Sequence, residues 1–240
     1  MTCAHIPSAS SPIPKARFRR KRKAVAVASL CLLLSACGGS GDSAAGGGSS
    51  GGGGAATGMS ARFNAMHDRI RTMPETMTLP APASYTYDGI AKLTIDRHSG
   101  GPAGLRNAAL GESFTLLSEI EMQATFRGGP LAQSTLEGRA TAFEVAGQPG
   151  LTADGVLTIN PLELSRGLAN RIAFGGDWEA QVDIYPTTAS GNVDRVVAGG
   201  DISGSLRGAQ AQALQGGLRG TADVGGDLGR NLTGQIRAER

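Results

Sequence analysis

From residue 84 onward, apolar and polar residues alternate. Tyr85, Tyr87, Ala91, Leu93 and Ile95 fall on one face of an extended chain, and Asp88, Lys92, Thr94 and Asp96 on the other. Successive side chains of a strand point to opposite faces, so a period of two marks a strand with one buried and one wet side. The pattern returns with Phe114, Leu116, Ile120, Met122, Ala124 and Phe126, opposed by Thr115, Glu119, Glu121 and Gln123. Further strands are predicted over residues 134–145, 151–160, 170–174, 178–185, 195–207 and 215–224, with a last one over 232–237. Turn chemistry separates them at Gly128-Gly129-Pro130, Gly147-Gln148-Pro149-Gly150, Gly175-Gly176-Asp177 and Ser190-Gly191-Asn192. Residues 162–168 are expected to hold one helical turn.

About eight strands in ~155 residues, with no long helices between them, match an antiparallel barrel or a sandwich. Closure into a barrel is the expectation. Gly89, Gly138, Gly155, Gly199, Gly204 and Gly220 lie inside strands, where small barrels need bends and close backbone approach. Closure also removes the exposed edges that invite aggregation. The expected fold class is therefore all-β, a single eight-stranded antiparallel β-barrel. A membrane-spanning barrel would need a lipid-facing apolar band with aromatic girdles. Aromatic residues make up only 4 % of this chain, and its strands carry many charges, so a water-soluble barrel is expected.

Ahead of the strands, Met59, Phe63, Met66, Ile70 and Met73 recur at spacings of three and four, which predicts a short amphipathic helix stopped by Pro74. It is expected to pack on the barrel, plugging one end, with a partner-binding helix as the sharper alternative. Leu79-Pro80-Ala81-Pro82 reads as an extended linker. Residues 38–58 are almost wholly Gly, Ser and Ala. Such a composition has next to nothing to bury, and about 21 residues of flexible coil reach roughly 25 Å.

The start of the chain has the three-part layout of a secretory signal. Lys15, Arg17, Arg19, Arg20, Lys21, Arg22 and Lys23 form a basic segment, residues 24–34 an apolar run, and Ser35 and Ala36 a small-residue end. The run is shorter than the roughly 20 residues that span a bilayer. Leu34-Ser35-Ala36-Cys37 resembles the lipobox of bacterial lipoproteins. The resemblance implies cleavage between Ala36 and Cys37, diacylation of the Cys37 thiol and acylation of the new amino terminus, so that the membrane is a partner through a lipid anchor. A thiol is the side chain nucleophilic enough to take a thioether-linked lipid. Gly38 follows where Asp would favour inner-membrane retention, so outer-membrane placement is expected, with the barrel either in the periplasm or displayed at the cell surface. Arg19-Arg20 lacks the flanking pattern of twin-arginine export. The chain thus divides into a signal (1–36), a lipidated cysteine with tether (37–58), a helix and linker (59–82) and a barrel (83–240).

Charge and cysteine content narrow the function. The formal charge is +3, but seven of the 23 Lys and Arg residues lie in the signal, leaving 16 against 20 acids, a net of −4. Nucleic-acid binding needs a clustered basic surface and is not expected. Cys3, Cys31 and Cys37 all precede the strands, which excludes a disulfide framework or thiolate metal site in the barrel.

No catalytic constellation emerges, and no enzyme is expected. No Gly-x-Ser-x-Gly elbow occurs. Glu119 and Glu121 share one strand face and read as solvated acids. His67 falls in the helix and His98 beside Asp96. The latter pair suggests a metal or haem site but lacks partners at ligand spacing, so no metal and no cofactor beyond lipid on Cys37 is expected. Gly199-Gly200-Asp201 lacks the Lys-Ser/Thr ending of a phosphate loop. Trp178 and Tyr185 read as core or barrel-mouth residues, with partner anchoring as the alternative. Asn231-Leu232-Thr233 matches a glycosylation sequon, which carries no weight in a bacterium.

Residues 200–220 carry the more specific pattern. Gly204, Gly208, Ala211, Leu214, Gly216, Gly217 and Gly220 are spaced so that the segment resembles the closing hairpin of the transferrin-binding protein B family of surface lipoproteins. Leu206 and Leu218 stand where that family commonly has an aromatic residue. The glycines would admit tight strand crossing, with a turn over residues 209–213. The resemblance implies an exported eight-stranded barrel that captures a ligand. It does not extend to transferrin, because the chain has room for one barrel and for none of the large gripping loops. The expected function is a monomeric, lipid-anchored binding module for a protein or an iron source such as haem. The alternatives are a structural envelope lipoprotein without soluble ligand and a haem or metal carrier. Residues 97–106, 128–133 and 186–194 are the candidate contact loops.

Overall fold

The computed structural model describes residues 58–96, 110, 113–128, 130–187 and 193–240. The Ala36/Cys37 cleavage and lipidation site, the tether up to residue 57 and His98 lie outside the described residues. One helix, α1 (Met59–Thr72), precedes eight strands: β1 (Ala83–Asp96), β2 (Ser113–Phe126), β3 (Thr135–Val145), β4 (Leu151–Arg166), β5 (Ile172–Pro186), β6 (Asp194–Arg207), β7 (Ala213–Val224) and β8 (Asp227–Glu239). Each strand pairs antiparallel with the next, and β8 returns to pair with β1, from Asp88 opposite Glu239 to Asp96 opposite Asn231, closing the barrel.

Two local expectations are corrected. Residues 170–174 and 178–185 do not form separate strands: Gly175-Gly176-Asp177 stays in the ladder opposite Ser203, Ile202 and Asp201, making β5 continuous. Glycine pairs signal turns only where the backbone is released, and here pairing with β6 holds all three residues extended. Residues 162–166 are strand rather than helix. A bulge between Ile159 and Glu163 restarts β4's alternation, burying Leu162 and Leu164 while Glu163 and Ser165 face out. The one helical turn there is confined to Leu168–Asn170.

The apolar faces predicted for β1 and β2 point into the barrel. Tyr87, Leu93, Ile95, Leu116 and Met122 are at most 2 % exposed, as are Trp178, Val182, Leu206 and Ile236 on other strands. Side chains from all eight strands meet in one cluster, so the interior is packed solid, as the geometry of an eight-stranded barrel allows. Outward positions carry charge on every strand, for example Lys92, Glu121, Arg139, Asp154, Glu179, Arg195, Arg219 and Glu239.

The helix does not plug an end. Ile90 and Leu117 break the alternation by pointing outward, and Phe63 of α1 packs on both, while Met66 and Ile70 cover Ala213. Covering these three apolar outward groups is what fixes α1 to the outer wall. Ion pairs flank the contact, Arg62 to Glu119 at 2.7 Å and Arg69 to Glu239 at 2.7 Å. The end is closed instead by the segment after Pro74. Its backbone bonds from Thr76 N to Leu206 O and from Ile172 N to Thr76 O (3.1 and 2.9 Å), and Leu79 packs on the core.

The β6–β7 turn folds in beside that segment, and the Tyr87 hydroxyl donates to Ala211 O at 2.7 Å. Burial pushes the Tyr87 phenol up to about 12, with Arg240 opposing and Tyr85 adding to the shift. An unfolded phenol ionises near 10, so between about pH 10 and 12 the folded state holds the extra proton. Stability is expected to fall as pH rises through that window, by about 2 kcal/mol from this group. Tyr87→Phe should begin about 1 kcal/mol less stable at neutral pH, having lost one hydrogen bond, and lack that alkaline decline. Denaturant midpoints of the two proteins against pH measure the difference.

Candidate functional site

The hairpin residues singled out from the sequence form the β6–β7 seam. The turn runs over residues 208–212 rather than 209–213, since Ala213 already pairs with Arg207. Gly208 adopts φ +83° and Ala211 φ +52°, left-handed values of which the first suits only a residue without Cβ. Gly208 also bonds the closing segment twice, from its N to Pro74 O (2.7 Å) and from Thr76 Oγ1 to its O (2.6 Å). Gly204 and Gly216 pair across the seam. A Cβ on Gly204 would strike the Phe174 ring and Gln215 O, so these inward glycines make room for an aromatic from β5. Gly220 pairs with Gly200, which in turn pairs with Trp178. Leu214 is fully buried. The motif is thus a packing device, and its one outward member, Gly217, is the exception.

The other sequence candidates scatter. β1 and β5 end, and β2 and β6 begin, at one end of the barrel, whereas β2 ends and β3 begins at the other; of the candidate contact loops, residues 97–106, 129 and 188–192 lie outside the described residues. Glu119 pairs with Arg62 and Glu121 is exposed. Asp96 accepts from Ser113 Oγ at 2.6 Å. Trp178 is a core residue whose Nε1 donates to Asp201 O at 3.2 Å, and Tyr185 is half-buried. His67 stacks on Phe63 and accepts at Nδ1 from Arg237 Nε, 3.1 Å away. Among the described residues, no group of three or more His, Cys, Asp or Glu is placed to hold a metal.

One depression on the described surface is one the sequence did not announce, a groove of ≈ 630 Å³ on the outer wall of β5 to β8. Its floor is the register row Ser203, Gly217, Gln235. The middle residue of that row has no side chain, and a Cβ on Gly217 would meet nothing nearer than Gly234 O at 4.0 Å. One bank is the row Ala173, Ser205, Gln215, Arg237, and the other includes Arg219 and Thr233.

Arg237 is only 8 % exposed. It donates to His67 Nδ1, Gly216 O, Ile236 O and Gln235 Oε1, all neutral acceptors. Burial, with the nearby Arg207 adding repulsion, lowers its pKa. The neighbouring arginines share a single acid, Glu75, at 3.2 Å from Arg171 and 3.4 Å from Arg207. No carboxylate among the described residues pairs with Arg237. The sequence shows these arginines only as isolated charges on four different elements, since register alone brings them together.

No family model matches the chain, and no curated protein and no solved structure matches it.

Proposed function

We propose that this chain is a monomeric bacterial envelope lipoprotein, anchored in the outer membrane through acyl chains on Cys37 and displaying its barrel at the cell surface as a binding module on the 38–58 tether. The observation that carries the reading is a barrel filled to its centre and charged around its outside. A filled barrel cannot enclose a ligand as wider barrels do, and a charged wall is unsuited to the hydrocarbon layer. Binding then belongs on the outer wall. The lipobox resemblance of residues 34–37 supports the anchor, and the hairpin's resemblance to the transferrin-binding protein B family supports ligand capture. Closure of the ladder leaves no strand edge to recruit a second copy.

Cross-linking on intact cells, with and without prior protease treatment of the surface, tests this. The expected result is a full-length protein lost to external protease and cross-linked to a soluble molecule from the medium. Protection from protease together with cross-links confined to envelope components would establish the structural alternative and end the binding reading.

A further inference from the structure

Arg237 is the described cation whose environment calls for an explanation. Removing a guanidinium from water costs several kcal/mol unless an opposite charge compensates it, and arginine does not escape by losing its proton. Its four neutral acceptors satisfy hydrogen bonding without neutralising the charge. A guanidinium has five N–H groups, so one on Nη2 remains for a ligand. Glu75 is already shared by Arg171 and Arg207, which leaves the bank of the groove with excess positive charge. Arg219 lines the opposite side, and the floor between them at Gly217 is open.

We propose that this groove is a binding site for a small polyanion, a ligand carrying two or more carboxylate or phosphate groups, with one anionic group paired to Arg237 and Arg171 and another to Arg219. The inference rests on the reading of the outer wall as the binding surface. Oxyanions accept charge-assisted hydrogen bonds from guanidinium donors in forked geometry, and Ser203, Ser205, Gln215, Thr233 and Gln235 supply neutral hydrogen-bonding groups around them. The ligand would supply the counter-charge that the fold withholds from Arg237. Gly217, which packs against nothing, has its place in the sequence as the clearance for that ligand.

Titration calorimetry on the purified full-length protein, with citrate and inorganic pyrophosphate as separate probes, tests the site. Saturable binding of at least one probe is expected, weakening as salt is raised; which probe binds assigns the ligand to carboxylate or phosphate chemistry. Arg237→Gln should weaken it at least tenfold. Because Arg237 also anchors His67 of α1, Gly217→Leu is the second variant: it fills the groove without touching the core, and should likewise weaken binding at least tenfold with an unchanged melting temperature. Arg195→Gln, on the same wall but outside the groove, should bind as the parent does. The proposal is overturned if neither probe binds at millimolar concentration, if Gly217→Leu binds undiminished, or if Arg195→Gln weakens binding equally. These results come from purified protein, so their failure leaves the cell-surface cross-linking outcome untouched.

Discussion

Trp178→Ala is expected to lower the melting temperature of the barrel by on the order of 10 °C. Trp178 is 2 % exposed at the barrel's centre, opposite Ile159 on β4 and Gly200 on β6. Truncating a buried Trp costs about 3–5 kcal/mol through lost transfer energy and the void left behind. Here the void resists collapse, because the facing row continues through Gly200 and Gly220, which have no side chains to move in. The indole's bond to Asp201 O is lost as well. For a domain of about 180 residues each kcal/mol shifts the midpoint by about 2–4 °C. Trp178→Phe should recover much of the loss, and Tyr185→Ala, at a half-buried rim position, should cost under about 1 kcal/mol. Circular dichroism melts are the measurement, because the protein's single Trp makes fluorescence useless for the variant. A shift of a degree or two for Trp178→Ala would mean that the interior is not packed around the indole.

Strand existence and strand faces were legible because each depends on local alternation alone, and Tyr87, Leu93, Leu116 and Met122 point inward as their spacing requires. Boundaries were less legible where local chemistry and long-range pairing disagree. Gly175-Gly176-Asp177 has turn composition, but its ladder partners on β6 hold it straight. Asn160-Pro161 interrupts the β4 ladder, yet a bulge absorbs it and the strand continues. The position of α1 was encoded in a signal that alternation treats as noise: Ile90 and Leu117 are apolar residues on the wet face, and they are where Phe63 lands.

The groove was not legible, for a physical reason. Its floor draws one residue from each of three strands, and its excess charge is a sum over Arg171, Arg219 and Arg237 less what Glu75 neutralises. No window of sequence contains that sum. Gly217 stood inside a motif of glycines whose other members serve packing, so its outward orientation became visible only once the register was known. By contrast the resemblance to a lipobox is wholly local, four consecutive residues at the close of an apolar run.

Cys37→Ala is the variant with the largest expected effect on where the protein resides. One acyl chain gives only marginal, reversible membrane binding, whereas each buried methylene adds about 0.8 kcal/mol, so the three chains of the proposed anchor would hold the protein far more firmly than one. Radiolabelled palmitate is expected to enter the parent protein and to be absent from Cys37→Ala, which should also keep residues 1–36 and run as a heavier band. Cys31→Ala, within the apolar run, should keep the label, since only a thiol after the small-residue end is presented for acylation. The barrel's melting temperature should not change in either variant, because its ladder is built from Ala83 to Glu239 and owes nothing to the anchor. Label that persists in Cys37→Ala, or a parent protein that never takes it up, would remove the membrane tether and with it the case for surface display, while leaving the closed barrel and its anion groove to be judged on their own measurements.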